Sequence, residues 1–267
     1  MSNDTKDISL FRGILKFDRH TLLGVRTGYV DIGEYDRFDS QEPAITEIEL
    51  FTSRNPGGGK VKGFVSKIVP KCSFRFFNAT TFNVALASLG IETTVSQTGS
   101  TVTAEALTAG VAPALDRYYR TAKRGLSVIT VKQGVTTKTV TTDYTVDATR
   151  GEIYIVPTGS IDPAGAALTI DYTYATIALT AVAPYTQGLI NTSVAFTGDS
   201  ATGAKYDVDI WNMQVKPQNV IKLLHDPSQT EFGNFELQGD ILDDTAGAFG
   251  GDSTYRFMRM IKTGQVS

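Results

Sequence analysis

The sequence predicts a mainly β fold: a β-sandwich or barrel with one short flanking α-helix, plus a small inserted all-β module. Three observations predict it. Period-2 alternation of apolar and polar residues recurs toward both ends of the chain, one segment alone has clear helical spacing, and the composition changes in the middle.

In chain order, strands are expected at 9–17, 27–36, 45–52 and 63–77. A helix follows. Thr80 or Thr81 can cap it, Phe82, Ala85, Leu86 and Leu89 fall at helical spacing, and Gly90 supplies the stop. At roughly two to three turns it is marginal alone and must lie on a sheet. Between 104 and 120, Leu107, Val111, Leu115 and Tyr118 also recur at near-helical spacing, but Gly110 and Pro113 interrupt them, leaving short helical turns or a wandering loop. Short β-branched or aromatic runs then predict strands at 127–132, 138–146, 152–156 and 168–174. Asp147-Ala-Thr-Arg-Gly151 supplies a turn between two of them and Pro163-Ala-Gly165 another.

Further strands are expected at 188–197 and 219–225. In KYDVDIWNMQV, starting at Lys205, the alternation changes phase: Tyr206, Val208 and Ile210 share one face, then Trp211, Met213 and Val215 the other. Such a one-residue slip fits a β-bulge or a strand passing from one buried face to another. Phe235, Leu237 and Ile241 alternate with Glu236, Gln238 and Asp240 as a half-buried strand, and Tyr255, Phe257 and Ile261 repeat the pattern.

Composition sets the domain organisation. Of 14 Phe, only Phe196 lies between residues 83 and 231, whereas 24 of 35 Thr lie between Thr93 and Thr202. That Thr-rich window holds 15 charged residues in 110, against 38 in the other 157. A Phe-built, charge-rich host at 1–91 and 186–267 therefore surrounds an inserted module at 92–185; the alternative is one large sandwich with a Thr-rich half.

With 25 Lys+Arg against 28 Asp+Glu, the net charge of −3 lacks the basic excess of a protein that grips DNA, and 41% hydrophobic residues are too many for a disordered chain. A single cysteine, Cys72, forms no internal disulfide or Cys-clustered zinc site, and two histidines make no three-His site. The opening MSNDTK is polar, and the most apolar stretch, 175–185, is about half the ~20 residues a membrane span needs. The product is expected to stay in its producer's cytoplasm, with the sequons at Asn78 and Asn191 as chance matches.

The chain offers no constellation for catalysis. The glycine-rich run from Arg54 to Val61 puts Arg and Val where a phosphate-binding loop needs Gly and Ser or Thr. His20 and His225 are not near a Gly-x-Ser-x-Gly elbow, and the Asp199–Gly203 turn lacks the ligand spacing of a calcium loop. Glu47/Glu49 and Asp207/Asp209 share strand faces, as glycosidase carboxylates could, but such pairs are more often the wet face of a sheet. Cys72 lies in an apolar strand without a neighbouring His and reads as a core thiol. No enzyme, cofactor or metal is expected.

Four stretches in order carry a resemblance: LFRGILKF from Leu10 with GYVDIG from Gly28 and ITEIEL from Ile45; a glycine-rich basic loop leading into GFVSKI from Gly63; the helix TFNVALASLG from Thr81; and a C-terminal set of the 206–215 strand, the 219–225 strand and FGNFELQGDILDD from Phe232. They resemble the major tail tube proteins of long-tailed bacteriophages over roughly 1–91 and 186–262. The inserted segment is similar to small β-modules in several phage structural proteins and is lacking in the shortest tube proteins.

The resemblance implies a tail-tube-type sandwich, six copies to a ring, and rings stacked into a hollow tube through which phage DNA passes without specific binding. Partners would be further copies of the chain and the other tail proteins (terminator, tape measure, baseplate), with no membrane, in a virion tail assembled in the host cytoplasm. By the same resemblance the loop Arg54, Asn55, Pro56, Gly57, Gly58, Gly59 and Lys60 would join stacked rings. Acidic side chains alternating on strands, Glu47, Glu49, Asp31 and Glu34, would line the lumen, where carboxylates repel phosphates and let DNA slide. The inserted module is expected on the tube's outside, where it cannot obstruct DNA. Rival readings are another ring-forming virion part, such as a tail terminator or baseplate hub, and a carbohydrate-binding adhesin sandwich built on Trp211. Alternation of Trp211 with Met213 and Val215 points instead to its burial.

Overall fold

The computed structural model of the chain describes residues 12–51, 60–199, 203–218 and 234–266. It is mainly β with a single short helix among the described residues, and its chain divides into two compact units, Met1–Glu92 with Val182–Ser267, and Thr93–Ala181.

The first unit begins with β1 (Gly13–Arg19), β2 (Val30–Asp31), β3 (Tyr35–Phe51), β4 (Lys60–Phe76) and α1 (Thr81–Ala87). β5 (Ile91–Gln97) leads into the second unit, which contains β6 (Ser100–Ala106), β7 (Arg117–Arg120), β8 (Leu126–Gln133), β9 (Thr136–Thr137), β10 (Tyr144–Asp147), β11 (Glu152–Ile155) and β12 (Leu168–Tyr174). β13 (Ile177–Ala183) leads back and pairs with β5; β14 (Ile190–Gly198), β15 (Gly203–Pro217), β16 (Phe235–Ile241) and β17 (Met258–Val266) complete the first unit.

In the first unit an antiparallel sheet runs β2-β1-β14-β15-β16-β4-β3, with β17 added to β15. Alternate side chains of these strands close over one core that includes Leu15, Phe17, Phe74, Phe76, Ile210, Met213 and Leu237. Phenylalanines meet there from distant parts of the chain: Phe17 lies edge-on to Phe74 at 5.1 Å, and Phe38 stacks on Phe74 at 5.2 Å and tilts toward Phe196 at 5.6 Å. The phase change in β15 is a bulge. Ile210 faces Val194 and Met213 faces Thr192, so Trp211 and Asn212 together oppose Ser193. Val208 and Ile210 are buried before the slip, and Trp211, Met213 and Val215 after it.

Thr80 caps α1, its side chain accepting from the Asn83 amide at 3.2 Å. The helix stop differs from the glycine expected. Leu89, not Gly90, takes the left-handed conformation (φ 48°). Gly90 is needed for space: a Cβ there would stand 2.5 Å from the Ala183 carbonyl oxygen.

Several strand expectations shift, each for a local reason. Only Val30–Asp31 of 27–36 forms a separate short strand, because the Thr27 and Gly28 amides are taken by the Asp18 carboxylate, both at 2.8 Å. β3 starts ten residues before 45 and passes through Pro43 by breaking register between Gln41 and Ala44, where the missing N–H of proline does no harm. β17 begins at Met258, beyond Tyr255. The expected strand at 219–225 and the part of 9–17 before residue 12 lie outside the described residues.

The second unit holds two sheets, β6-β12-β8-β9 and β10-β11-β7, over its own core of Leu126, Val131, Tyr144, Ile153, Ile155, Leu168, Ile170 and Tyr172. β6 had no counterpart among the expected strands, and β7 occupies the end of the 104–120 stretch. The 138–146 run is a strand only from Tyr144, because Asp143 turns the chain before it by accepting from the Thr139 amide at 2.7 Å and the Ser160 amide at 2.6 Å. The Asp147–Gly151 turn joins β10 to β11. Gly151 has φ +70°, and a Cβ there would stand 2.2 Å from the Lys123 carbonyl oxygen.

Candidate self-assembly interface

β3 and β4 are each 17 residues long and pair along their whole length, yet only one end of this hairpin belongs to the core. Near the sandwich, Cys72, Phe74 and Phe76 alternate inward and are buried; every described side chain from Lys60 to Ile68 on β4, and from Ala44 to Phe51 on β3, is exposed. Much of what is exposed is apolar. Ile45 faces Ile68 and Ile48 faces Phe64 across the ribbon, with Leu50, Phe51, Val61 and Val65 beside them, all between 45% and 62% accessible. A two-stranded ribbon has no second layer to bury such residues against, and alone in water it is marginally stable.

Lys60, Glu47 and Glu49 form one charged cluster on the ribbon, while Lys62 lies over the Phe64 ring at 4.6 Å. Lys60 Nζ lies 2.8 Å from Glu47 and 2.6 Å from Glu49. The Lys60 hydrogen bond holds the Glu47 carboxyl below its usual range, and Glu47 with Glu49 raises Lys60. Gly63 leaves the space in which this happens, since a Cβ there would meet Lys60 Cε at 2.9 Å. Glu47 and Glu49 therefore do not form a bare carboxylate pair; with Lys60 they carry one net negative charge.

The four acidic candidates fall on different elements. Asp31 is exposed on β2 and accepts from the Gly33 amide at 2.8 Å, and Glu34 is exposed in the turn before β3. Burial raises the Tyr35 phenol, and the charges of Asp31 and Glu34 raise it further. Of the loop Arg54 to Lys60, Lys60 is the one described member; Arg54, Asn55, Pro56, Gly57, Gly58 and Gly59 lie outside the described residues.

β3 ends the sheet order, so its outer edge has no strand beside it among the described residues. Along that edge runs a groove of about 700 Å³, floored by Phe38, Phe196, Val208, Met258 and Met260, with Glu34, Asp36 and Asp39 among its lining residues. The apolar ribbon, an unpaired edge and an acid-rimmed apolar groove thus lie on one unit. Alternation of side chains signalled the strands, but no sequence signal separated Ile48 and Phe64 from core residues, because period-2 patterning has the same form whether or not a second layer covers it.

Among the described residues the groups with catalytic potential are engaged structurally; His225 lies outside them. Ser193 Oγ donates to the Trp211 carbonyl at 2.6 Å, so at the 2.8 Å His20–Ser193 contact the imidazole Nε2–H is the donor, the reverse of what activating a serine requires. Asp207 accepts from the Gly198 amide and Asp209 pairs with Arg259 at 2.8 Å. Burial pushes the Cys72 thiol up to about 12. Trp211 is buried, with its indole N–H donating to the Tyr255 carbonyl at 2.8 Å. Among the described residues no three His, Cys, Asp or Glu side chains converge as a metal site, and no helix is long and apolar enough to cross a membrane.

No curated protein matches the chain. A family model does, over residues 10–261, running without interruption through the sandwich, the Thr-rich unit and the return to the sandwich. With nearly the whole chain matched, the protein belongs to the family described as "Protein of unknown function UCP028589".

Proposed function

We propose that the protein is a self-assembling structural subunit of a bacteriophage tail, forming hexameric rings that stack into the tube through which DNA leaves the virion. The observation that carries this reading is the β3–β4 ribbon, whose Ile45, Ile48, Phe64 and Ile68 are 45% to 62% accessible, with no second sheet layered over them among the described residues. Covering the exposed half of each such side chain contributes on the order of 1 kcal/mol, so a few per contact suffice to favour association. The free edge of β3 offers main-chain donors and acceptors to a neighbouring copy, and a closed ring needs such unlike patches to meet around an axis.

For the lumen, the Glu47–Glu49–Lys60 cluster contributes one net negative charge per subunit, and Asp31 and Glu34 add two more if they share the wall. A mildly acidic wall repels phosphate without gripping it. The contact between stacked rings is assigned to the loop that closes the same ribbon.

The test is to express the full chain alone and examine it by negative-stain electron microscopy and sedimentation. Rings and tubes are expected. Rings that never stack would favour a terminator or hub over a tube, and a single monomeric species at high concentration would sink the reading.

A further inference from the structure

The second unit presents a face that its own fold does not use. Its β10-β11-β7 sheet packs Tyr144, Ile153, Ile155 and Tyr119 inward, and the opposite set of side chains points out. In that outer set Tyr154 of β11 faces Tyr118 of β7, their rings 4.8 Å apart and tilted by 40°. Tyr118 is 70% accessible, far more than packing would leave an aromatic side chain. Both flanks are ordered by hydrogen bonds: the Tyr154 hydroxyl donates to Asp116 at 2.7 Å, and Arg120 donates twice to Glu152 Oε1, at 2.8 and 2.5 Å.

We propose that this face is a binding platform for neutral pyranose sugars. Two tilted aromatic rings make a shallow cradle for the C–H face of a sugar ring. The carboxylate of Asp116, the exposed guanidinium of Arg120 and the Tyr118 hydroxyl stand at its rim, where sugar hydroxyls need acceptors and donors. The Tyr154 ring and the Arg120–Glu152 pair are held by hydrogen bonds, so little of their rotamer freedom is lost on binding.

Size and charge select this occupant. Three strands of about four residues, at ~3.3 Å rise and ~4.8 Å spacing, give a face of roughly 13 by 10 Å. That accommodates one or two sugar rings, whereas a specific protein partner covers about 800 Å² on each side. Arg120 is balanced by Glu152, Arg150 by Asp147 at 3.0 Å, and Asp116 by the neighbouring Arg117, whose guanidinium donates to the Asp116 carbonyl at 3.2 Å, so these six side chains sum to zero. A face without net charge does not attract sulfated or phosphorylated polymers. The inference is independent of the assembly proposed above, since it concerns the second unit alone.

The test uses the full chain in saturation-transfer difference NMR with cellohexaose, chitohexaose and maltohexaose, and with dextran sulfate as the polyanion. Transfer to the ring C–H protons of at least one neutral hexasaccharide is expected. Tyr118→Ala and Tyr154→Ala each weaken it by about tenfold or more, while Tyr154→Phe, which keeps the ring, weakens it much less. Tyr118 is exposed, so Tyr118→Ala retains the wild-type unfolding midpoint and separates lost binding from lost folding. The proposal is overturned by no transfer to any of the three sugars, by binding that survives Tyr118→Ala, or by a preference for dextran sulfate. A Tyr118→Ala variant that changes oligomeric state but not sugar transfer also overturns it, marking the face as a contact between protein chains.

Discussion

At Asp18 a carboxylate without solvent contact is satisfied by three donors. Arg26 Nε donates at 2.7 Å and the Thr27 and Gly28 amides each at 2.8 Å, while the Thr27 hydroxyl donates to the Arg19 carbonyl. Burial alone would raise its pKa; these donors outweigh it and the net shift is downward. Two residues on, His20 is buried beneath Phe249, the rings parallel at 4.3 Å, and its Nδ1 has no partner among the described residues. Burial lowers its pKa, Asp18 and Asp244 oppose that, and Arg26 adds to it. The two groups destabilise the fold in different pH windows. Because His20 is held neutral, the unfolded chain takes up its proton first, so stability is complete above about 6.5 and declines as pH falls below that value. Asp18 acts lower: its contribution is complete above about 3.9 and is lost as pH falls through the depressed folded value. Urea denaturation should therefore show a midpoint falling between pH 7 and pH 5 in the native protein. In His20→Gln the ring stacking is lost, costing about 1 kcal/mol at pH 7, and the slope over that interval should flatten. An equally steep slope in the variant would show that other groups titrate there.

The β3–β4 hairpin shows how much of an element the sequence carries and where it stops. Alternation marked 63–77 and 45–52 as strands, and the glycine-rich run between them as their connection, because these depend on neighbours in sequence. That β3 reaches back through Pro43 was hidden, since tolerance of proline depends on a register break seen only against β4. The helix was legible from its cap and spacing, but the roles of Leu89 and Gly90 were not, because the close approach of Ala183 comes from a residue far along the chain. The candidate site was legible in the same measure: Glu47 and Glu49 could be placed on one strand, but not their joint capture by Lys60. The ribbon also yields a prediction at this scale. Ile48→Lys with Phe64→Lys replaces a directly facing, exposed pair; the two like charges repel across the ribbon, so the folded subunit should lose about 1 kcal/mol. Association should be lost, because two like charges would have to be buried at each contact. Sedimentation should find a folded monomer, and its unfolding should be one cooperative transition independent of protein concentration. Assembly at the wild-type concentration would remove the ribbon from the interface.

Across the whole molecule, the chain divides into two units because it builds two separate cores. The Phe-rich strands close on one another in the first unit, whereas Leu, Ile, Val and Tyr fill the second. The chain leaves and re-enters the first unit at points held together within it: the Tyr185 amide donates to the Ser88 carbonyl and the Gln187 amide to the Leu89 carbonyl, both at 2.9 Å, and Arg19 donates to the Gly90 carbonyl. Those bonds do not involve the second unit. Replacing Thr93–Ala181 by a short Gly/Ser linker should therefore leave the sandwich able to fold, since closing so short a loop costs little entropy. Trp211 reports on it directly. Its indole is buried in the first unit, so its emission in the excised chain should keep the native wavelength and shift to that of exposed indole in one cooperative step on denaturation. The isolated Thr93–Ala181 segment, which lacks Trp, should show its own cooperative loss of β-sheet circular dichroism. Tubes formed by the excised chain would assign assembly to the first unit alone. Emission from exposed indole in native buffer would mean that the sandwich depends on the second unit to fold.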